Sequence, residues 1–439
     1  MKESVRSLIQ GDKVIWAIFA TFCIISLVEV YSAGSILVFK DGHFWRTFIS
    51  QAGFLAFGAV LVWFVHRIPY RFFRLIVLLG YPLALGTLAW ALIGGETING
   101  GARWLRIPLL GFTFQPSEMA KGVVVTTVAL ILTTAQEKDG ANKSAFPMIL
   151  IFSGLVCLLI VTQNFSTAAM LFGVVVLMMI IGRVPWKQLG MLAAVLAFAG
   201  TAFYTGLRML PDDPHAGIYQ TKYTQRFITW KNRLTADDMD TSVPPKDFVI
   251  TDHNRQEVHA RIAIARAEGL GVMPGNSIER DFLAQADSDF IYAIIAEETG
   301  MIGAGIVLAL YILLLIRAGR IANACKRNFP SFLVMGLAML LVSQAMLNMM
   351  VAVGLFPVTG QTLPMISRGG TSTLITCIYF GMILSVSTYA EKERAKAKAA
   401  REAEAAAEAA AFLAAADPLE APVAAPAAIA AEGADAAHS

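Results

Sequence analysis

The chain has 439 residues, of which 56% are hydrophobic and only 15% are charged, and its formal net charge is +3. A soluble globular protein carries about 25% charged residues, so this composition excludes that class and predicts a chain that crosses a membrane several times. The four cysteines lie in or beside apolar runs without paired spacing, a pattern that predicts neither disulfides nor a zinc site.

Ten apolar runs are long enough to cross the hydrocarbon core of a membrane, which is about 30 Å thick. They lie near residues 14–33, 49–66, 73–94, 117–135, 146–163, 166–183, 188–207, 290–316, 331–353 and 372–390. We therefore predict an all-α polytopic membrane protein with ten transmembrane helices.

Basic residues fall in every second connector between these runs. They are Lys2, Arg6 and Lys13; Arg67, Arg71 and Arg74; Lys138 and Lys143; Arg183 and Lys187; Arg317, Arg320, Lys326 and Arg327; and Lys392, Arg394, Lys396 and Lys398. Because Lys and Arg accumulate on the cytoplasmic side, both termini are predicted to be cytoplasmic. The connectors 94–116, 208–289 and 354–371 are then extracytoplasmic, and the longest lies between helices 7 and 8.

The last segment differs in composition from the rest. Residues 1–390 are predicted to form the membrane domain, and residues 391–439 a cytoplasmic Ala-rich tail. Its first part, to about residue 415, is rich in helix formers. The part after Pro418 is Ala-Pro low complexity, which predicts disorder.

The first extracytoplasmic connector ends in Gln115-Pro-Ser-Glu-Met-Ala-Lys121. Ser117 after Pro116 is typical of a helix start. Glu118 and Lys121 are three residues apart on that helix, so they can pair, either to fix the helix in place or as part of a site. Arg103, with Trp104 beside it, fits a contact with a phosphate or lipid headgroup.

The long connector alternates basic and aromatic residues around Arg226, a pattern that suits either the headgroup region or a solvated loop. It ends at Asp289, where loop becomes apolar helix, and Glu297 follows inside that helix. Asp289 is either a helix N-cap or a functional carboxylate, because carboxylates at a membrane boundary are costly and are kept mainly for function.

The connector 354–371 is rich in proline and glycine, and it contains Ser367 and Arg368. This composition predicts a non-helical segment that dips toward membrane depth, where such backbone must be buried in protein or line a wet cavity. Gln344 and Asn348 share one face of the preceding helix. They either bind this segment or serve as polar contacts between helices.

Several function classes have no support. The chain shows no Walker A loop, Rossmann fingerprint, zinc-ligand cluster or Ser/His/Asp set, and nothing in it indicates nucleic-acid binding.

Four motifs resemble those of the SEDS family, which includes FtsW and RodA. They are Asn99-Gly-Gly-Ala-Arg-Trp104, Gln115-Pro-Ser-Glu-Met-Ala-Lys121, Ser288-Asp-Phe-Ile-Tyr-Ala-Ile-Ile-Ala-Glu-Glu298 and Pro357-Val-Thr-Gly-Gln-Thr-Leu-Pro-Met-Ile-Ser-Arg-Gly-Gly370. The resemblance runs from about Asp12 to Tyr389. Gly275-Asn276-Ser277 is similar to the FtsW, cell-division branch rather than to the RodA, elongation branch.

The resemblance implies a peptidoglycan glycosyltransferase that polymerises lipid II on the outer face of the bacterial cytoplasmic (inner) membrane, here at the division septum. It implies a class B penicillin-binding protein, a transpeptidase, and other divisome proteins as partners. The family's essential aspartate matches Asp289, and its Glu and Lys at the start of the fourth helix match Glu118 and Lys121. Gln115, Ser367 and Glu297 lie in the matching motifs as residues that support the site.

The chain departs from the family pattern at three places. Asp287 stands where the family often has His, Asn164 where it has an acid, and Arg266-Ala267 where it has a double glycine. Asp287 is therefore a rival carboxylate to Asp289.

The expected reaction joins the 4-hydroxyl of one lipid-linked sugar to C1 of another, with inversion and with undecaprenyl pyrophosphate leaving. Asp289 is the expected general base. Arg103, Lys121, Arg226 and Arg368 are the candidates to stabilise the pyrophosphate. A divalent cation, Mg or Mn, would serve the same purpose, but no ligand set is visible. The alternatives are a lipid II flippase, a RodA-type elongation polymerase, and a scaffold that recruits the transpeptidase.

Overall fold

The computed structural model describes residues 10–33, 44–94, 96–98, 101–106, 113–209, 250, 254–283 and 285–416. Within these ranges the chain is mostly helical. The α-helices are α1 (Lys13–Ala33), α2 (Phe44–Val65), α3 (Tyr81–Gly94), α4 (Pro116–Thr134), α5 (Ala145–Val161), α6 (Phe165–Ile181), α7 (Trp186–Arg208), α8 (Arg255–Ala265), α9 (Ile291–Ala324), α10 (Asn328–Ala352) and α11 (Thr371–Ala416).

The apolar helices coincide with the predicted runs. In the described parts of the chain, eight are long and apolar enough to cross a membrane, among them a continuous run over Tyr70–Gly94 that ends in α3. The apolar helices α5 and α6 have 17 residues each and are shorter. The helical membrane fold is thus confirmed, whereas the crossing of all ten helices and the side on which the termini lie stay predictions.

Short strands accompany the helices, which the all-α prediction did not include. Strands β1 (Glu96–Ile98), β2 (Gly101–Arg106) and β3 (Thr113–Phe114) form an antiparallel sheet in that order, and β4 (Gln136–Glu137) pairs with β5 (Gly140–Ala141). Most have only two or three residues, too few for an alternating pattern to be recognisable in the sequence.

Helices α4 and α10 lie at the centre of the packing. Most of α4 is buried, including the polar side chains of Ser117, Glu118 and Lys121. Helix α10 packs against both α4 and α9, and α9 also packs against α1. In contrast, α7 buries only Leu189, Leu192 and Leu207. The helices that carry the predicted polar residues are therefore the interior ones.

Helix α9 is broken at Gly300, where the backbone has φ 69° and ψ −175°. Loop residues 268–273 pack against the break and bind its free backbone groups. The amides of Val272 and Met273 donate to the carbonyls of Glu297 and Glu298 at 3.0 and 2.8 Å, and the amide of Met301 donates to a loop carbonyl at 3.1 Å. A Cβ at Gly300 would lie 2.4 Å from a loop oxygen, so the close approach of the loop to the helix requires glycine at this position.

The chain divides into two compact units, Met1–Glu391 and Lys392–Ser439. The described part of the second unit, up to residue 416, is helical. Residues 417–439, for which disorder was predicted, lie outside the described residues. The assignment of this unit as a cytoplasmic tail stays a prediction.

Candidate active site

Asp289 lies in a turn that leads directly into α9 and is partly buried. The N-cap position of α9 is occupied by Phe290, whose side chain is 1% exposed. The structure therefore does not place Asp289 at the N-cap that one interpretation of the sequence gave it. The amide of Phe290 donates to the carbonyl of Gln285 at 3.2 Å, which closes the turn just before the helix.

The carbonyls of three consecutive residues in this turn accept hydrogen bonds from other parts of the chain. The carbonyl of Asp287 accepts from the backbone amide of Arg368 at 2.8 Å. The carbonyl of Ser288 accepts from the hydroxyl of Ser367 at 2.6 Å, and that of Asp289 accepts from the side-chain amide of Asn348 at 2.7 Å. The turn is thereby fastened to α10 and to the non-helical segment 355–370.

That segment is itself bound by α10 through Gln344 and Asn348, which is one of the two interpretations that their i, i+4 spacing left open. Gln344 donates to the carbonyl of Thr362 at 3.0 Å, and Asn348 donates to the carbonyl of Gln361 at 2.7 Å. The amide of Leu363 donates to the hydroxyl of Ser367 at 2.7 Å. Backbone groups that would be costly to bury alone are thus satisfied by the interior helix.

Glu118 and Lys121 form a buried ion pair at 2.8 Å, with side chains 9% and 1% exposed. The Lys121 ammonium also donates to the side-chain carbonyl of Gln344 at 2.6 Å. The pair therefore links α4 to α10 and, through Gln344, to segment 355–370. Both partners of Lys121 are protein groups, which favours the interpretation that the pair holds helices in place.

An open cleft of about 340 Å³ lies beside the turn. Its lining residues are Ser50, Gln51, Phe54, Trp104, Thr113, Gln285, Asp287, Ser288, Arg368, Gly369, Gly370 and Thr371. Inside it, the Arg368 guanidinium donates to the Asp287 carboxylate at 3.0 Å. The two residues before Asp289 line this cleft, whereas Asp289 itself is not among its lining residues.

The contribution of α2 to this cleft was missed at the sequence level. Ser50 and Gln51 stand at the start of an apolar run, and this polar pair was the available signal. Gln51 is 2% exposed and donates to the hydroxyl of Ser26 at 2.9 Å, which in turn donates to the carbonyl of Ile366 at 2.8 Å. Helices α1 and α2 thus also support the segment that carries Arg368.

Glu297 belongs to a different network from Asp289. It is fully buried, and its carboxylate accepts from the hydroxyl of Ser277 and, at 3.2 and 3.3 Å, from the amides of Ile278 and Glu279. The Arg266 guanidinium lies 3.6 Å away. Glu297 therefore anchors the loop that contains the Gly-Asn-Ser motif, from a position three residues before the break in α9.

The remaining predicted residues have simpler positions. Gln115 precedes α4 and donates to the hydroxyl of Ser117 at 3.1 Å. Arg103 lies in β2 by its backbone, and its side chain is outside the described set. Arg226 lies outside the described residues. In the part of the chain that the structure describes, no group of three or more His, Cys, Asp or Glu could hold a metal ion, so a ligand set for the predicted divalent cation is not found there.

Comparison with known proteins extends these observations. The family of cell cycle proteins that includes FtsW, RodA and SpoVE matches residues 12–392. A probable peptidoglycan glycosyltransferase FtsW from Halomonas elongata is 29% identical over 397 residues, covering 88% of this chain and 93% of that protein. Its counterpart from Geobacter metallireducens is 30% identical over 394 residues, covering 88% of this chain and 97% of that protein.

Solved structures share the fold. One is a chain from a peptidoglycan synthase complex that coordinates polymerization and crosslinking, with a TM-score of 0.66 at 23% identity, covering 87% of this chain and 98% of that chain. Another is the rod shape determining protein RodA of Thermus thermophilus, with a TM-score of 0.57 at 21% identity, covering 86% and 96%. With the family match spanning nearly all of the first compact unit, this protein belongs to the FtsW/RodA/SpoVE (SEDS) family of cell cycle proteins.

Proposed function

We propose that this protein is a peptidoglycan glycosyltransferase that polymerises lipid II during cell division. The observation that carries the proposal is the turn 285–290, which three hydrogen bonds hold beside a polar cleft in a chain whose relatives are named probable peptidoglycan glycosyltransferases. A positioned carboxylate next to an open, polar cleft is what proton removal from a sugar hydroxyl needs.

Asp289 acts as the general base. Its carboxylate takes the proton from the 4-hydroxyl of the acceptor sugar as that oxygen bonds to C1 of the donor sugar. The bond from C1 to the pyrophosphate oxygen breaks with inversion, and undecaprenyl pyrophosphate leaves with the bonding electrons. A sugar hydroxyl is a poor nucleophile at neutral pH, and a general base of this kind contributes about 10²–10⁴-fold to the rate.

Arg368 is the basic residue best placed to stabilise the leaving pyrophosphate. Arg368 lines the cleft, and its side chain is 39% exposed. Its guanidinium also pairs with the Asp287 carboxylate. A pyrophosphate competes with that carboxylate for the N–H donors of the guanidinium, which can bind a phosphate group in a bidentate manner. Arg103 and Arg226 stay proposals for the same task, as does a divalent cation. The burial of Lys121 supports a role in holding the site together rather than contact with the lipid.

The end of the bundle that carries Asp289 faces the outside of the cytoplasmic membrane in this proposal. The basic connectors at the other end support that orientation. The shared fold with a chain from a complex that couples polymerization to crosslinking supports a transpeptidase partner of the class B penicillin-binding protein type. Other divisome proteins and a position at the septum follow from the FtsW branch.

Labelled lipid II, incubated with the purified protein in detergent, tests the reaction. Wild-type protein should form glycan strands, and Asp289→Ala should form none. Asp281→Ala is the matched control, because Asp281 belongs to the same connector and is 57% exposed; it should retain activity. Strand formation by Asp289→Ala together with its loss in Asp287→Ala would transfer the base role to Asp287.

The same assay separates the transporter alternative. A broken helix with buried carboxylates, as in α9, is also found in transporters. Detergent provides no second compartment, so a flippase would yield no strands. A tagged copy distinguishes the two polymerase branches, because the division enzyme should concentrate at the septum and an elongation enzyme along the side wall.

A further inference from the structure

The side chain of Asn348 stands at the junction of three parts of the site. It extends from α10, is 1% exposed, and uses its single amide nitrogen to donate to two carbonyls, those of Asp289 and Gln361, both at 2.7 Å. One carbonyl belongs to the residue proposed as the base, and the other to segment 355–370. A single buried amide thus joins the base-bearing turn to the segment opposite it.

The side chain of Asn348 acts only as a hydrogen-bond donor in the described structure. Its side-chain oxygen is buried without a hydrogen-bond partner in the described structure, and leaving a buried polar atom unsatisfied is costly. Turning the amide over would satisfy that oxygen with neither carbonyl, because both neighbours are acceptors. The side-chain oxygen of Asn348 therefore stays without a partner, while its amide nitrogen holds the carbonyls of Asp289 and Gln361.

Among the hydrogen bonds that hold this turn, the one from Asn348 acts directly on Asp289. After Asp289 the chain is fixed by the buried ring of Phe290, and before it the carbonyls of Asp287 and Ser288 are held by Arg368 and Ser367. The contact from Asn348 is the one among these that falls on the peptide of Asp289 itself. Its loss removes a direct restraint on the backbone that carries the Asp289 carboxylate.

We infer that Asn348 is the positioning residue for the carboxylate of Asp289, and this inference rests on the proposed function. Asn348 does not touch the sugar or the pyrophosphate. It acts through the Asp289 peptide, by keeping the carboxylate at the distance at which it accepts the proton of the acceptor hydroxyl. Displacement of a reacting group by about 1 Å costs on the order of a hundredfold in rate.

The test measures kcat and KM for lipid II polymerisation in Asn348→Ala. We expect kcat to fall about ten- to a hundredfold with KM unchanged, because the lost interaction affects only the reacting geometry. Asn348→Leu keeps most of the side-chain volume and adds no charge but cannot donate to either carbonyl, so it should be at least as slow. It also keeps the test available if the alanine variant does not fold.

Ser385→Ala is the matched control. The buried Ser385 hydroxyl likewise donates to a backbone carbonyl of another segment, that of Ile68 at 2.6 Å, but it takes no part in the turn that carries Asp289. It should lower the melting temperature without lowering kcat. If the two variants lose a similar amount of melting temperature, a positioning role requires that kcat fall further in Asn348→Ala than in Ser385→Ala.

Two results overturn the inference. One is a kcat within about twofold of wild type in a folded Asn348 variant, and the other is an equal loss of kcat in Ser385→Ala. Either result leaves the proposed function intact, provided that wild-type protein makes strands and Asp289→Ala does not. Absence of strands from wild-type protein would instead count against the proposed function itself.

Discussion

Two ion pairs at opposite ends of the bundle, Glu118–Lys121 and Asp12–Arg317, differ in burial and in the kind of backbone that they support. At one end, Glu118 and Lys121 are almost fully buried. At the other, Arg317 near the end of α9 pairs with Asp12 before α1, with side chains 25% and 8% exposed. Arg317 follows the break at Gly300 by 17 residues of α9, which at 1.5 Å per residue is about 25 Å.

The Asp12 pair fastens helix ends. The carboxylate of Asp12 also accepts from the amides of Val14 and Ile15 at 2.9 and 3.3 Å, as an N-cap does. Its own amide donates to the hydroxyl of Ser387 at 2.8 Å. All of its partners are in or next to regular helices, so removing it should loosen local contacts.

The Glu118 pair supports irregular backbone instead. Through Gln344 it reaches segment 355–370, which in turn holds the Asp289 turn. The difference indicates that long-range contacts at the Asp289 end hold non-helical chain, whereas the contacts at the Asp12 end, both local and long-range, hold the ends of regular helices. Mutations at the two ends should therefore differ both in size and in what they affect.

The largest effect is expected for Gly300→Ala. Gly300 has a backbone conformation that is essentially restricted to glycine, and an added Cβ would collide with loop backbone. We expect the variant to fold poorly, with a strongly reduced melting temperature in detergent. Gly305→Ala is the control, because a Cβ there would have no atom within 4 Å, and alanine is favoured in a helix by about 1 kcal/mol. Equal stability of the two variants would contradict the requirement for glycine at the break.

Lys121→Met should have the next largest effect. It leaves the carboxylate of Glu118 buried without its cation, which costs about 3–5 kcal/mol. The double variant Glu118→Gln with Lys121→Met removes the uncompensated charge and should recover much of the melting temperature. Polymerisation should stay reduced in both, because Gln344 loses its donor. Full activity of the double variant would show that the pair does not support the site.

Local patterns in the sequence were sufficient for some of these features and insufficient for others. The helix positions follow from hydropathy, which is local, and the spacing of Gln344 and Asn348 placed them on one helix face without deciding whether they contact segment 355–370 or another helix. The contact of Lys121 with Gln344 joins residues 223 positions apart, and no local pattern encodes it. The packing of loop 268–273 against α9 at Gly300 depends in the same way on pairing between distant backbone groups. The face that α2 turns to the cleft is marked by Ser50 and Gln51, but this pair in a mainly apolar helix does not by itself predict which distant segment it contacts.

Arg317→Ala should have a smaller effect than Lys121→Met. The Arg317 side chain is 25% exposed whereas that of Lys121 is 1% exposed, so water reaches the Asp12 pair more easily, and its loss should cost less than the about 3–5 kcal/mol of a fully buried pair. Its loss leaves one carboxylate oxygen of Asp12 with the amides of Val14 and Ile15 as donors, while the other oxygen loses the Arg317 guanidinium. We expect a small drop in melting temperature and an unchanged kcat. A fall in kcat comparable to that of Lys121→Met would contradict the contrast between the two ends.

The smallest effect concerns pH at the Asp12 end. His66 follows α2, is 4% exposed, and lies edge-on to the ring of Trp16 at 5.4 Å. Burial lowers the pKa of His66 below its usual value, and this outweighs the nearby carbonyls of Trp63 and Val62, which raise the pKa. Because the unfolded chain binds a proton near pH 6.5 whereas the folded chain does not, stability should fall as the pH drops below that value. The melting temperature of His66→Phe should lose this part of the pH dependence, and an unchanged profile would show that His66 titrates normally in the fold.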